Sequence, residues 1–207
     1  MNKRWLVLGL VAVLVVLGLL GVRFYLDQMT WTDSVPYARR SADDADTLVV
    51  HYSRTGNSAS AAHAAAASLD ADTLRIDAPQ YGLTVAGNVL AVEHAEAQLR
   101  LTPIEYTPVE LSAYTTVVLV SPTWLFRPAV PMWAFVEGQD FHGANVVLVM
   151  TGNSRLKTEH VDEFGALVVE RGGVFVGNHF IKRGRFWWQK STDVVDAEIV
   201  EALAALR

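Results

Sequence analysis

The segment from Thr47 to Ser58 constrains the fold of this chain more than any other. Its sequence, TLVVHYSRTGNS, is an apolar and β-branched run that stops at a loop rich in hydroxyl groups and glycine. A tract of Ala and Ser, Ala59–Ser68, follows at once and favours a helix. A strand, a short polar loop and a helix N-terminus together offer backbone N–H groups, hydroxyls and the positive end of a helix dipole. The sequence therefore predicts a phosphate-binding βα unit.

Segments typical of strands and helices alternate along the rest of the chain. Further strands are predicted at Thr73–Ile76, Thr115–Ser121, Asn145–Thr151 and Val174–Ile181. Helices are predicted at Asn57–Ser68, Val85–Leu101, Pro131–Glu137, Lys157–Arg171 and Thr192–Leu206. Strands that are apolar throughout and separated by helices indicate a parallel sheet covered on both faces. We expect an α/β fold, a three-layer doubly wound sandwich whose ligands bind beyond the carboxyl ends of the strands.

The N-terminal segment has the composition of a membrane-spanning helix. From Trp5 to Val22 every residue is apolar or Gly, and a helix of this length extends about 27 Å, close to the thickness of a bilayer core. The alternatives are a cleaved signal peptide, although no small-x-small cleavage motif follows, and a buried helix. We expect residues 1–25 to be a retained transmembrane anchor, residues 26–45 a juxtamembrane linker and residues 46–207 the α/β domain.

The charges on either side of this segment favour opposite orientations. Lys3 and Arg4 favour a cytoplasmic tail before the helix, which would place the domain outside. Arg23, Arg39 and Arg40 favour the reverse. The expected location is therefore the cell membrane, crossed once, with the side of the domain left open.

Composition excludes several classes of function. The chain has no Cys, which rules out disulfides, thiolate catalysis and iron–sulfur ligation. Its net charge is −5, which argues against nucleic acid as a partner. The six His show no metal-ligand spacing, so no metal is expected, and neither the GxSxG elbow nor the GxxxxGK(S/T) loop occurs.

Three loops carry a resemblance to the flavodoxin family. SRTGNS at Ser53–Ser58 is similar to the family's phosphate-loop pattern (S/T)xTGNT, with Ser in place of the final Thr. SPTW at Ser121–Trp124 follows the third strand, where the family places an aromatic residue against the flavin ring. TGNS at Thr151–Ser154 follows the fourth, where the family has a Gly-containing loop beside that ring. The resemblance covers about Asp46 to the C-terminus and implies a five-stranded flavodoxin-like sheet of order 2-1-3-4-5.

FMN is the cofactor that this resemblance implies. Its phosphate needs N–H and O–H donors, and Gly56 allows close approach of the backbone, so an Asp at this position is expected to block the phosphate. Stacking on Trp124 would bury the flavin ring. No side chain is expected to act as a catalytic acid or base. The residues expected to bind the cofactor are Ser53, Arg54, Thr55, Gly56, Asn57, Ser58, Pro122, Thr123, Trp124, Leu125, Phe126, Thr151, Gly152 and Asn153.

Three functions stay open. The first is a membrane-anchored flavodoxin-like protein that transfers electrons to a redox partner protein or a quinone. The second is an FMN-dependent NAD(P)H:quinone reductase, because PTWLFRPA at Pro122–Ala129 is also similar to the P-x-(W/Y)-x-x-x-P-A loops of such enzymes. No Gly lies between Ser121 and Glu137, where many flavodoxins have one beside the flavin, and this too favours two-electron chemistry. The third is a flavin-free, membrane-bound interaction module of the same fold.

A basic and aromatic patch stands out in the acidic domain. Residues Ile181–Lys190 have the sequence IKRGRFWWQK. Arg127 lies outside this patch, in the candidate flavin loop, and is interpreted either as solvated or as in contact with a substrate. The patch is interpreted either as a β-hairpin tongue that covers the last helix or as a contact with the membrane interface or a partner, and we favour the contact.

Overall fold

The computed structural model describes residues 3–39, 44–184 and 188–206, and it divides the chain into two units, Met1–Thr30 and Trp31–Arg207. The first unit consists of helix α1 (Lys3–Met29), which is 27 residues long. By length and apolar composition α1 can cross a membrane, a criterion that a signal sequence near the N-terminus also meets.

The second unit alternates strands and helices. Its strands are β1 (Thr47–Tyr52), β2 (Asp72–Ile76), β3 (Thr116–Trp124), β4 (Arg127–Pro128), β5 (Asn145–Gly152) and β6 (Val174–Lys182). Its α-helices are α2 (Asn57–Leu69), α3 (Val85–Glu96), α4 (Val130–Glu137), α5 (Thr158–Glu170) and α6 (Thr192–Ala202). The order β2-β1-β3-β5-β6 is parallel throughout. This confirms the predicted class and the 2-1-3-4-5 order of the main strands, to which the short β4 adds a sixth strand, antiparallel to β3.

Helices cover both faces of the sheet because its strands are apolar on both sides. Successive residues of a strand face opposite ways, so Leu119 packs with α4 and α5 while Val118 packs with α2 and α6. The α2 face is built from Ala side chains such as Ala62, which is fully buried and lets the helix lie close to the sheet. Three layers follow from this arrangement, and the carboxyl ends of the parallel strands share one edge.

Several predicted boundaries differ from the structure, among them the end of α6 at Ala202, and two of the differences have clear local reasons. Helix α3 ends at Glu96 because Gln98 has a φ of 53°, which leaves Leu101 outside the helix and 70% exposed. Strand β3 continues past Ser121 to Trp124 because β4 supplies a hydrogen-bonding partner for its last residues. The extension brings Trp124 into a tight hairpin.

Residues Trp31–Arg39, which the sequence places in the linker, belong to the second unit. We call this segment the strap. It contains neither helix nor strand and follows α2 from its N-terminus to its C-terminus. Its hydrogen bonds to this side of the domain include Thr32 N–H to Thr55 O (2.8 Å), Ser34 Oγ with His63 Nδ1 (3.0 Å) and Arg39 Nε–H to Asp70 O (3.1 Å).

Candidate functional site

The loops that follow β1, β3 and β5 form one connected surface at the carboxyl edge of the sheet. Ser58 Oγ lies 2.8 Å from Thr151 Oγ1, which joins the first loop to the third. Thr123 Oγ1 donates to Thr151 O at 3.1 Å and joins the second loop to the same point. A Cβ on Gly152 would lie 2.8 Å from Thr123 Oγ1, so this close approach requires glycine. The three loops singled out in the sequence therefore share one site.

The first loop presents a cluster of backbone donors. Among the described residues, nothing accepts a hydrogen bond from the backbone N–H groups of Thr55, Gly56, Asn57 or Ser58. These groups surround the N-terminus of α2, where the helix dipole is positive and the first N–H groups have no partner within the helix. Asn57 Nδ2 donates to Thr55 Oγ1 at 3.0 Å, which orders the loop. This arrangement is suited to an anion.

The one cationic side chain of the first loop is directed elsewhere. Arg54 is only 7% exposed, and its guanidinium donates to Tyr81 O at 3.0 Å and to Gly82 O at 3.3 Å. These carbonyls belong to the loop that follows β2. The side chain of Arg54 therefore ties two loops together, and the donors of the first loop that have no acceptor are neutral.

The strap lies against the first loop at Gly56. This residue has a φ of 84°, in the left-handed region that favours glycine. A Cβ built on it would lie 1.9 Å from Thr32 O and 2.8 Å from the carbonyl carbon of the same residue. That an Asp at this position blocks the phosphate stays a prediction, and the structure adds that the Cβ of any side chain here would meet the strap.

Trp124 packs in an aromatic cluster. Its ring centroid lies 5.6 Å from that of Tyr52 and 5.0 Å from that of Tyr81, with interplanar angles of 86° and 75°. Such edge-to-face pairs stabilise aromatic clusters. Burial raises the pKa of both tyrosines above the ordinary value, so both stay protonated and neutral at physiological pH. Sequence analysis did not include either tyrosine in the site. The position of Tyr52 as the last residue of β1 was a signal that could have identified it.

The turn beyond Trp124 is tight and strained. Leu125 and Phe126 join β3 to β4 with φ angles of 46° and 71°, values that bulky residues rarely adopt. The carbonyl of Phe126 accepts from Lys157 N–H at 3.1 Å, and the Arg155 guanidinium lies 4.9 Å from the Phe126 ring centroid. These contacts connect the turn to the loop after β5. Leu125 is 42% exposed and gives the rim of the site an apolar side chain.

The neighbouring Arg127 is buried, which excludes the solvated alternative. It is 2% exposed, and its guanidinium carbon lies 4.7 Å from the Trp133 ring centroid. Burial lowers the pKa of Arg127 below its ordinary value. Its Nε and Nη1 atoms have no hydrogen-bond partner among the described residues. In this structure Arg127 packs on an aromatic ring beneath the hairpin.

The base of the basic and aromatic patch adjoins the third loop. Arg183 N–H donates to Gly152 O at 2.8 Å, and Lys190 N–H donates to Arg183 O at 2.8 Å. Lys182 is exposed. Arg185, Phe186 and Trp187, on which the interpretation of the patch also depends, lie outside the described residues.

Other parts of the described chain offer fewer candidate functional groups. No group of three or more potential His, Cys, Asp or Glu ligands with metal-binding geometry is found among the described residues. A cavity of about 860 Å³ lies along β2, between the end of the strap and the segment 105–109, and none of the predicted site residues lines it. The candidate site therefore remains the edge formed by the three loops.

Comparison with known proteins identifies the fold. No protein-family model and no curated protein sequence matches the chain. A flavoprotein from Lactobacillus acidophilus, solved in complex with FMN, aligns with a TM-score of 0.57 and 16% identity over 66% of this chain and 93% of its own. A protein from Bacteroides eggerthii designated a flavoprotein gives 0.58 and 18% identity over 77% and 98%. One from Bacteroides uniformis gives 0.58 and 19% over 76% and 99%. The chain has a flavodoxin-like fold, as expected from the sequence.

Proposed function

We propose that the second unit binds FMN and transfers electrons through it, and that α1 anchors the chain in a membrane. The observation that carries this proposal is the cluster of four neutral backbone donors at Thr55–Ser58. The first N–H groups of a helix have no partner within the helix, so four adjacent donors at the N-terminus of α2 are available to an external anion. The phosphate of FMN supplies that anion.

The residues at this edge fit the remainder of FMN as well. Thr55 and Ser58 place hydroxyls beside the amide donors, and Asn57 Oδ1 is a buried acceptor without a partner among the described residues. Trp124 and the turn Leu125–Phe126 provide an apolar wall for a flat ring. Bound FMN would supply the redox chemistry, by one- or two-electron transfer, while these residues bind it, orient it and exclude water.

A second candidate function is the reduction of a quinone at the expense of NAD(P)H. The exposed Leu125 at the rim favours it, because an apolar side chain beside the flavin suits an apolar acceptor. Rapid oxidation of NAD(P)H by the loaded protein in the presence of a water-soluble quinone would support this function. A protein that accepts electrons only from another protein would favour the carrier. Neither function involves nucleic acid.

The FMN site is tested with the full chain in detergent. We expect a yellow protein, or an apoprotein that quenches the fluorescence of added FMN at a stoichiometry of one. Asn57→Asp places a carboxylate in the donor cluster without adding bulk, and Asp at a helix N-terminus keeps the helix stable. Repulsion of the phosphate should weaken FMN binding by about tenfold or more, with much less effect on riboflavin, which lacks the phosphate.

Asn88→Asp is the matched control, because it makes the same charge change in the first turns of α3. It should leave FMN affinity unchanged. Equal FMN affinity in the Asn57 variant and the unaltered chain would place the phosphate elsewhere. A colourless protein that ignores FMN in a calorimeter would instead favour the flavin-free interaction module.

The anchor has its own test. We expect the protein to stay in the membrane fraction after carbonate extraction, with residues of α1 present in the mature chain by mass spectrometry. A mature N-terminus beyond the apolar segment would identify a cleaved signal sequence. An activity assay on intact and opened membrane vesicles would then determine the side of the domain.

A further inference from the structure

We propose that the strap, Trp31–Arg39, is a positioning element of the FMN phosphate loop, and that Thr32 orients the Thr55–Gly56 peptide for phosphate binding. This inference rests on the proposed function. It concerns a segment that does not belong to any of the three loops and that the sequence identified only as a linker.

The strap is bound along the whole of α2. The eight residues from Thr32 to Arg39 are joined by seven Cα–Cα steps, which reach about 23 Å when extended, and the 13 residues of α2 rise about 20 Å, so the two match in length. In the middle, His63 Nδ1 lies 3.0 Å from both Ser34 Oγ and Val35 O. At the far end Arg39 bonds to Asp70 O, the C-cap of the helix. Contacts at both ends and in the middle hold the strap in register with the helix.

At the N-terminus of α2 the strap determines the direction of one peptide group. Thr32 N–H donates to Thr55 O at 2.8 Å. A trans peptide is planar, and its C=O and N–H point in opposite directions. Because the carbonyl of Thr55 points to the strap, the N–H of Gly56 points away from it. The strap therefore lies behind the loop and directs this N–H toward the side where an anion can bind.

The loop and the strap also interlock sterically. In the left-handed conformation of Gly56, the position that a Cβ would occupy overlaps Thr32 O, so the two backbones are in contact. A strap in this position limits the rotation of the Thr55–Gly56 peptide. Since backbone donors attract an anion only along their own direction, fixing that direction raises affinity for the phosphate and leaves contacts with the flavin ring unchanged.

Thr32→Pro in the full chain is the direct test, because proline removes the donor hydrogen from a segment that contains neither helix nor strand and already includes Pro36. Thr32→Ala is the matched control, since it removes the side chain and keeps the N–H. The measurement is flavin fluorescence quenching by the apoprotein in detergent, with FMN and riboflavin as ligands. We expect Thr32→Pro to weaken FMN binding by about fivefold, the equivalent of one hydrogen bond. Riboflavin binding should stay unchanged, and Thr32→Ala should match the unaltered chain.

A second variant keeps the inference testable if the proline variant does not fold. Ser34→Ala combined with His63→Ala releases the middle of the strap from α2 at a distance from the phosphate loop. We expect it to weaken FMN binding about twofold to threefold, again without an effect on riboflavin. Unchanged FMN affinity in the variants that fold would overturn the inference and leave the FMN site standing. Tighter FMN binding on release of the strap would also overturn it, because the strap would then compete with the phosphate. If the unaltered chain fails to bind FMN, the proposed function and this inference fall together.

Discussion

Gly56→Ala should destabilise the second unit by more than a left-handed backbone alone explains. At a φ of 84° any L side chain costs about 1–2 kcal/mol. The added Cβ would lie 1.9 Å from Thr32 O, so the strap must move away from the loop. The move breaks the hydrogen bond from Thr32 to Thr55, whose net worth is about 1 kcal/mol. We expect a total loss of about 2–3 kcal/mol in the free energy of unfolding.

Gly143→Ala provides a matched control. Gly143 has the same φ of 84°, but nothing lies within 4 Å of a Cβ built on it. This variant carries the conformational cost and no steric cost, so we expect a loss of about 1–2 kcal/mol. The effect of alanine on the entropy of the unfolded chain is the same at both positions and cancels in the comparison.

The assay is denaturant or thermal unfolding of the full chain in detergent, followed by near-ultraviolet circular dichroism of the aromatic clusters. For a unit of this size each kcal/mol lowers Tm by about 2–4 °C, so Gly56→Ala should melt several degrees below Gly143→Ala. Equal losses in the two variants would refute the reasoning, because they would mean that the strap does not occupy the space beside Gly56.

Two further predictions concern buried polar groups. Ser58→Ala should lower the free energy of unfolding by about 1–2 kcal/mol, because Thr151 Oγ1 loses its buried partner. Ser68→Ala, at the other end of α2, should change it by at most about 0.5 kcal/mol, and equal denaturation midpoints would contradict this. Burial, with a smaller effect from His63, lowers the pKa of His51 to about 3, from 6.5 in model compounds. Between these values the unfolded chain binds a proton that the folded chain excludes, so stability should fall by about 1.4 kcal/mol per pH unit as pH decreases below 6.5. His51→Gln should remove that component when denaturation midpoints at pH 7 and pH 5 are compared, and an unchanged pH dependence would show that His51 does not cause it.

The grouping of the three loops was predictable because parallel strands impose it. Apolar, β-branched runs mark strands that are buried on both faces, and the carboxyl ends of such strands meet at one edge. Ser58, Thr123 and Thr151 are far apart in the sequence, yet Ser58 lies in the first turn of a predicted helix, Thr123 two residues beyond a predicted strand, and Thr151 at the end of another. The structure joins them through two hydrogen bonds. Pattern and topology together were sufficient for this part of the site.

The strap was not predictable from the same signals. Its attachment depends on backbone groups and on the missing side chain of Gly56, and neither leaves a periodic pattern in the sequence. The burial of Arg54 escaped prediction for a similar reason. Its acceptors are the carbonyls of Tyr81 and Gly82, which every sequence possesses, and only the path of the chain after β2 brings them within reach.

A phosphate loop with neutral donors depends on geometry more than a loop with a lysine does. An ammonium group is a compact charge on a flexible stem and can follow a phosphate, whereas an N–H group attracts an anion only along its own direction. Three contacts converge on the loop from different sides: the Arg54 side chain bonds to the loop after β2, Ser58 to Thr151, and Thr55 to the strap. Each restrains a different part of the same short backbone. Arg54, the cationic residue of this loop, therefore helps to orient the backbone, and the backbone N–H groups would bind the phosphate.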